Sequence, residues 1–453
     1  LWLRSNPVSS DTVSSLRHNL ERQHMSDNLN LPRRKALKKI GTGMALGASG
    51  LLSAPAFAQN KPLKIGVIAP RGGIAGTAGE GGIRAMEWSV AKLNAMNGIG
   101  GRKIELVIQE ETTPKETIDR YRKLVLQDRV DAVHGVISSG VSLALAPAAE
   151  QSQMLTLLWD GTTQDGVKEM MPNPKYVFRA IDNEVDAVMS SLLAIRHFKG
   201  SMARVAGINA DYTYGRNTWT TFTAMLKKFG IAHEVVAEQW VKVGTMDLTS
   251  NVAALKTAKP DVIFTSMVFA DLPVFMRQAH NVGLTENCKF VIPAAGWQHT
   301  AMKKEFTPEG VVFGHSTMYF DNPAASPLQK EFVRWYADKY KDYPHWESDR
   351  AYFCLQLYKA GVERALAAKS GSWPSSIEIA MAMPGLKVES LGGPASMRAD
   401  HIANQVIFQG LTTHKNAYDF PTLASVETMS TEQIQKPAGA DFWQWLESTK
   451  FKV

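Results

Sequence analysis

The chain has 453 residues, 45% of them apolar, which is enough to bury more than one hydrophobic core. Its formal net charge of +7 is concentrated in residues 1–58, where eight Lys and Arg face three acids. The remainder is only +2 and shows no basic stripe with interleaved aromatics, so composition argues against a nucleic-acid partner.

In chain order the first feature is an export leader. Pro32-Arg33-Arg34-Lys35-Ala36-Leu37-Lys38 resembles a twin-arginine export motif, with Pro32 where Ser or Thr is usual and Ala36 where Phe is usual. The mildly apolar, Gly-rich stretch from Ile40 to Leu52 is too short for a membrane span of about 20 residues. It leads to Ala56-Phe57-Ala58, a small-x-small cleavage site. Residues 1–58 are therefore expected to be an N-terminal extension and cleaved signal. With no cysteine behind the apolar stretch, the mature protein is expected free in the periplasm, without a lipid anchor. Only Cys288 and Cys354 occur; an oxidising compartment permits a bridge, but two cysteines alone do not show one.

From Lys61 onward short apolar runs alternate with helical periodicity. Leu63 to Ala69 reads as a strand, followed by a Gly-rich loop from Arg71 to Gly82. The next helix carries Ile83, Met86, Val90, Leu93 and Met96 at spacings of three and four. Strands are expected at Ile104 to Gln109, Asp131 to Ile137 and up to Trp159, with helices between them. After Ala180 the same grammar restarts, with strands at Ala203 to Asn209, Val235 to Val241 and Asp261 to Ser266. Strands separated by helices imply parallel sheets with right-handed crossovers, and two such series imply two α/β lobes.

Ligands of open parallel sheets bind outside the carboxyl ends of the strands. The loops expected there are Gly72-Gly73 with Gly76 to Gly82, Ser138-Ser139-Gly140, and Asp160-Gly161-Thr162-Thr163. Their convergence would hold a carboxylate or another polar group by neutral hydrogen bonds. Motifs of catalysis are missing: there is no G-x-G-x-x-G, phosphate loop, G-x-S-x-G elbow or zinc-type histidine spacing. Glu110-Glu111 reads as the solvated end of a strand. Neither catalysis nor a cofactor or metal is expected.

Several stretches in one order resemble the type I periplasmic binding proteins of the branched-chain amino acid (Leu/Ile/Val) family. They include Leu63-Lys64-Ile65-Gly66-Val67, Asn97 to Gly101, Tyr176 to Arg179, Asp211 to Gly215, Met276 to Leu284, Gly310-Val311-Val312, and Gly393-Pro394 with Arg398 to Gln405. The resemblance implies two Rossmann-like lobes joined by three crossovers, with the ligand between them and a hinge that closes on it. Lobe one would hold residues 59–180 plus about 316–390. Lobe two would hold 181–315 plus about 391–453. It also implies a role as the substrate-binding component of an ABC importer that delivers to an inner-membrane permease, with a monomer expected. A sensor of the same fold, serving a signalling partner, is the alternative.

Carried over position by position, Ser138 matches the serine that holds an amino acid carboxylate through hydroxyl and N–H. Asp160, Gly161 and Thr162 fall on the loop that contributes a carbonyl and a threonine. Tyr214 matches an aromatic of lobe two, and Val268 or Phe269 falls near another. Two departures stand out. Amino acid binders carry an acid after the strand read as Phe290 to Ile292, where this chain has Pro293-Ala294-Ala295-Gly296-Trp297. A ligand ammonium would then lack its counter-charge unless Asp160 supplies it. The first loop also lacks the family's tyrosine, while Arg71 at its start offers a cation for an anionic group. Trp159 and Trp297 add aromatics near the cleft. The expected ligand is a carboxylate with an aromatic or aliphatic body, with an amino acid or amide next.

Overall fold

The computed structural model describes residues 61–160, 163–369 and 372–452; the leader, Gly161 and Thr162 lie outside them. The first strand, β1 (Leu63–Ala69), is buried on both faces, as expected of a central parallel strand with no polar side. It pairs in parallel with β2 (Ile104–Glu110) on one side and β3 (Ala132–Gly135) on the other. The sheet continues through β4 (Thr156–Leu158) to β5 (Val177–Arg179) in the order β2-β1-β3-β4-β5.

The second sheet repeats this order. Strands β6 (Arg204–Ala210), β7 (Glu234–Val241), β8 (Val262–Thr265), β9 (Lys289–Ile292) and β10 (Val312–Ser316) run β7-β6-β8-β9-β10, all parallel. A later strand, Val406–Thr413, extends it antiparallel to β10, and Thr422–Leu423 and Glu427–Ser430 pair with that strand in turn. Both sheets therefore reverse winding direction at one place, between β1 and β3 and between β6 and β8. Crevices open at such places outside the strand ends.

Seven helices bear on the cleft or the termini. They are α1 (Gly76–Ala95), α2 (Ser139–Ser152), α3 (Glu184–Phe198), α4 (Thr213–Lys228), α5 (Asp271–Asn281), α6 (Trp346–Ala368) and α7 (Phe442–Ser448). The chain leaves the first sheet after β5, enters α3 on the second, and returns after β10 to lay α6 against α1. It crosses a last time near residue 405. Residues expected with lobe two, Gly393–Met397 and Ala403–Asn404, instead join Lys387–Ser390 in a separate three-stranded sheet, and Lys387–Ser390 packs on α6. The tail ends in α7, whose Phe442 and Leu446 are buried in the core shared by α3 and α4.

The Gly-rich segment is not a loop. Residues 76–82 form the first two turns of α1 despite the propensity cost of glycine. The reason is close packing: a Cβ on Gly79 would lie 1.8 Å from the Pro70 carbonyl oxygen, and one on Gly82 would lie 2.4 Å from the Trp159 ring. The two cysteines are free, with Cys354 buried in α6.

Candidate functional site

At the winding reversals of both sheets lies a cavity of about 210 Å³. From the first sheet it receives the turn after β3. Gly135 (φ +119°) and Val136 (φ +66°) bend the chain there, Val136 in a left-handed conformation that costs a β-branched residue energy. The turn is gripped from behind by Glu111, whose carboxylate accepts the N–H of Ile137 (2.7 Å) and of Ser138 (2.8 Å). Glu111 is thus a buried structural acid, not a solvated strand end. Burial pushes its carboxyl up to about 7 against the opposing pull of those amides.

Ser138 then stands at the N-cap of α2, its hydroxyl making no capping bond, and Ser139 and Gly140 form the first turn. All three line the cavity. Amides of a first helical turn have no partner within the helix and carry the positive end of its dipole. The expectation that Ser138 offers both hydroxyl and N–H to a ligand is therefore corrected: its N–H belongs to Glu111, which its hydroxyl also bonds, and the amides of the first helical turn come from the next residues.

The second sheet contributes aromatic rings from the ends of β6, β8 and β9. Tyr212 and Tyr214 follow β6, Val268 and Phe269 follow β8, and Ala294 and Trp297 follow β9. Phe269 stacks on Trp297 (5.4 Å, 21°), and Trp297 stacks on Trp346 of α6 (4.8 Å, 27°), which makes one continuous ring wall. Offset stacking of this kind keeps the rings rigid and leaves flat faces for an apolar body.

A charged cluster at the cavity links the two sheets. Arg350 of α6, 1% exposed, pairs with Asp160 after β4 and donates to the Ser316 hydroxyl at 2.6 Å. Its guanidinium also lies 3.8 Å from Asp186 of α3, which accepts from Ser316 at 2.8 Å. Burial raises the Asp186 carboxyl to about 7, and the adjacent guanidinium opposes the shift. Asp160 is thus matched by Arg350 and does not stand as a lone counter-charge for an ammonium. Where amino acid binders hold their acid, Ala294 and Trp297 face the cavity.

Of the residues singled out from sequence, Ser138, Ser139, Asp160, Tyr214, Phe269 and Trp297 come together here. Gly161 and Thr162 lie outside the described residues. Trp159 does not line the cavity; it is fully buried beneath Gly82 as core. Arg71 is a surface residue, 55% exposed and 3.3 Å from Glu80. Sequence reasoning missed Arg350, Trp346, Asp186, Asn183 and Tyr212. Two of them, Trp346 and Arg350, lie in the run Trp346-Glu347-Ser348-Asp349-Arg350, which is dense in polar residues yet buried throughout, a burial that no local sequence pattern marks. No cluster of metal-ligating residues occurs among the described residues.

Two doubly wound lobes walling one small cavity define a two-lobed solute-binding protein. The chain belongs to the periplasmic binding protein family, whose sequence profile matches residues 62–410, and within it to the type I, branched-chain amino acid group. Its role, as a member of that family, is to bind a solute. It is 26% identical over 318 residues to a Leu/Ile/Val-binding protein homolog of Brucella suis, covering 66% of this chain and 76% of that one. It is also 26% identical over 351 residues to another such homolog of Brucella melitensis, covering 76% and 88%. Among solved structures, a solute-binding protein of an ABC transporter from Rhodopseudomonas palustris, in complex with 3,4-dihydroxybenzoic acid, superposes with a TM-score of 0.71 at 21% identity, covering 82% of this chain and 98% of that one. The branched-chain amino acid binding protein LivJ of Streptococcus pneumoniae, in complex with isoleucine, gives 0.66 at 19%, covering 82% and 100%. Family members bind solutes in the periplasm. No helix among the described residues is long and apolar enough to cross a membrane.

Proposed function

We propose that the imported solute is a small acid with a flat, single-ring body, bound with its carboxylate at the start of α2 and its ring against Phe269, Trp297 and Trp346. The observation that carries this reading is a cavity of about 210 Å³ with an aromatic wall and a helix N-terminus at its edge. An apolar cavity of about 150 Å³ holds benzene, so this one suits a single ring with a small polar group. Helix N-termini favour carboxylates. The aromatic acid held by the Rhodopseudomonas palustris structure is of this size class and supports the reading. The absence of an acid after β9 disfavours an α-amino acid.

In this reading residues 61–180 and 346–404 form lobe one, and residues 184–316 and 406–452 form lobe two. The protein works as a periplasmic monomer exported through the twin-arginine motif and cleaved after Ala58, and the closed lobes are what an inner-membrane permease reads. A thermal-shift screen of the full chain tests the ligand class with aromatic acids, aliphatic acids, branched-chain amino acids and amides. Aromatic acids should give the largest saturable rise in melting temperature. A rise with isoleucine and none with benzoate would overturn the assignment.

A further inference from the structure

We infer that Asn183, on the first crossover between the lobes, hydrogen-bonds the solute's carboxylate, and that its neutral amide selects an anion over an ammonium. This rests on the single-ring acid reading and assigns its specificity to one side chain. Asn183 lines the cavity and is 6% exposed. It stands at the N-cap of α3, where Asn ordinarily accepts a backbone N–H, but its side chain makes no capping bond. Among the described residues nothing else bonds that amide, yet it is not one of the sealed-off polar atoms without a partner, so it opens on the cavity. The unpartnered atoms of Arg350, Asp186 and Tyr214, by contrast, are sealed.

The fold brings Asn183 to the carboxylate's edge of the cavity. Gly135, Leu158 and Arg179 lie opposite one another in β3, β4 and β5, so the segments after these strands leave the sheet side by side. The start of α2 and the backbone of Asn183 are then two strand spacings apart, about 10 Å. An Asn side chain shortens that gap to about what a carboxylate spans when each of its oxygens accepts one bond of about 2.9 Å. The flanking acids are committed elsewhere. Gln164 bonds Asp182 through its side chain and Glu184 through its N–H (2.8 Å), and Asn217 of α4 also donates to Glu184 (3.1 Å). These bonds hold the crossover from both lobes and leave the Asn183 amide for the solute. Of the charged groups lining the cavity, Asp160 and Asp186 share Arg350. A further carboxylate at position 183 would have no cation of its own there; it would repel an anionic solute and match an ammonium. The neutral amide donates to a carboxylate and leaves an ammonium without the counter-charge that its burial requires.

The test is calorimetric titration of the full chain, first freed of co-purified solute by denaturation and refolding, as wild type, Asn183→Ala and Asn183→Asp. The probes are benzoate, 3,4-dihydroxybenzoate and benzylamine, a ring that carries an ammonium in place of the carboxylate. Asn183→Ala should weaken both acids about tenfold or more, the loss of one hydrogen bond to a charged group. Because the amide bonds nothing in the protein, the solute-free melting temperature of that variant should stay within about 2 °C of wild type. Asn183→Asp should weaken the acids about tenfold further and bind benzylamine more tightly than wild type does. Three results would each sink this inference while leaving the ring-acid reading standing: unchanged acid affinity in Asn183→Ala, acids bound as tightly by Asn183→Asp as by Asn183→Ala, or benzylamine bound no better by Asn183→Asp than by wild type. A fall of several degrees in the solute-free Asn183→Ala protein would likewise replace it with a structural role. Failure of both acids to bind the wild type would overturn both readings.

Discussion

Replacing Arg350 with Met removes a cation that Asp160 and Asp186 share across the two lobes. Arg350 and Asp160 are 1% and 8% exposed at the side chain, so water cannot take over as partner. Breaking one side of a buried ion pair costs about 3–5 kcal/mol, because the buried carboxylates lose the charge that offsets their burial. For a folded body of roughly 390 residues, with an unfolding entropy of about 2 cal/mol/K per residue, this is a fall of about 4–6 °C in melting temperature. Asp160→Asn alone leaves Arg350 beside Asp186 and Ser316 and should cost less, about 1.5–3 kcal/mol. In the double variant neither uncompensated charge remains at that contact, so its loss should fall short of the sum by about 2 kcal/mol. The assay is urea unfolding of solute-free wild type, both singles and the double. Losses that add to within about 0.5 kcal/mol would refute the claim that these charges form one coupled cluster.

Stability should also depend on pH in a defined direction. Glu111 has a folded-state pKa of about 7 against the ordinary 4.5, so between these values the folded protein binds the proton more tightly than the unfolded chain. Its contribution is full below pH 4.5 and is lost as pH rises to 7, by about 3 kcal/mol. Urea midpoints across that window should show a shallower decline in Glu111→Gln; an identical slope would exclude Glu111 as the source. Ser138→Ala should weaken binding of a ring acid by about 1–3 kcal/mol in calorimetry, and an unchanged dissociation constant would remove Ser138 from the site. Gly79→Ala should lower the melting temperature, because its Cβ would lie 1.8 Å from backbone oxygen, an overlap that costs about 1–3 kcal/mol or more. Trp159→Phe should reduce stability without altering affinity; a changed affinity would move Trp159 from the core to the site.

The two lobes were legible because their central strands are buried on both faces, so Leu63–Ala69 and Arg204–Ala210 read as nearly continuous apolar runs. The residues that follow strand ends were legible for the same reason, since winding topology places Ser138, Tyr214, Phe269 and Trp297 at the crevice once the strands are known. Arg350 was not, because it sits 190 residues from Asp160 in the sequence. No local pattern distinguishes an arginine on a long helix as buried until the third-dimensional partner is seen. Glu111 misled because its neighbour Glu110 is indeed exposed, and only the turn of Val136 brings two amides within its reach. The glycines of α1 misled because local propensity favours a loop, while the contact with Pro70 and Trp159 requires residues without a side chain.

The most direct test of the account is calorimetric titration of a single-ring aromatic acid into the wild type and into Ala294→Trp. Ala294 is 5% exposed and faces the cavity, so an indole there would occupy much of its 210 Å³. The account predicts one saturable site per chain in the wild type and none in an Ala294→Trp protein that still melts cooperatively. Titration of that folded variant with the wild-type dissociation constant would contradict it, because the solute would then bind outside the cavity between the lobes.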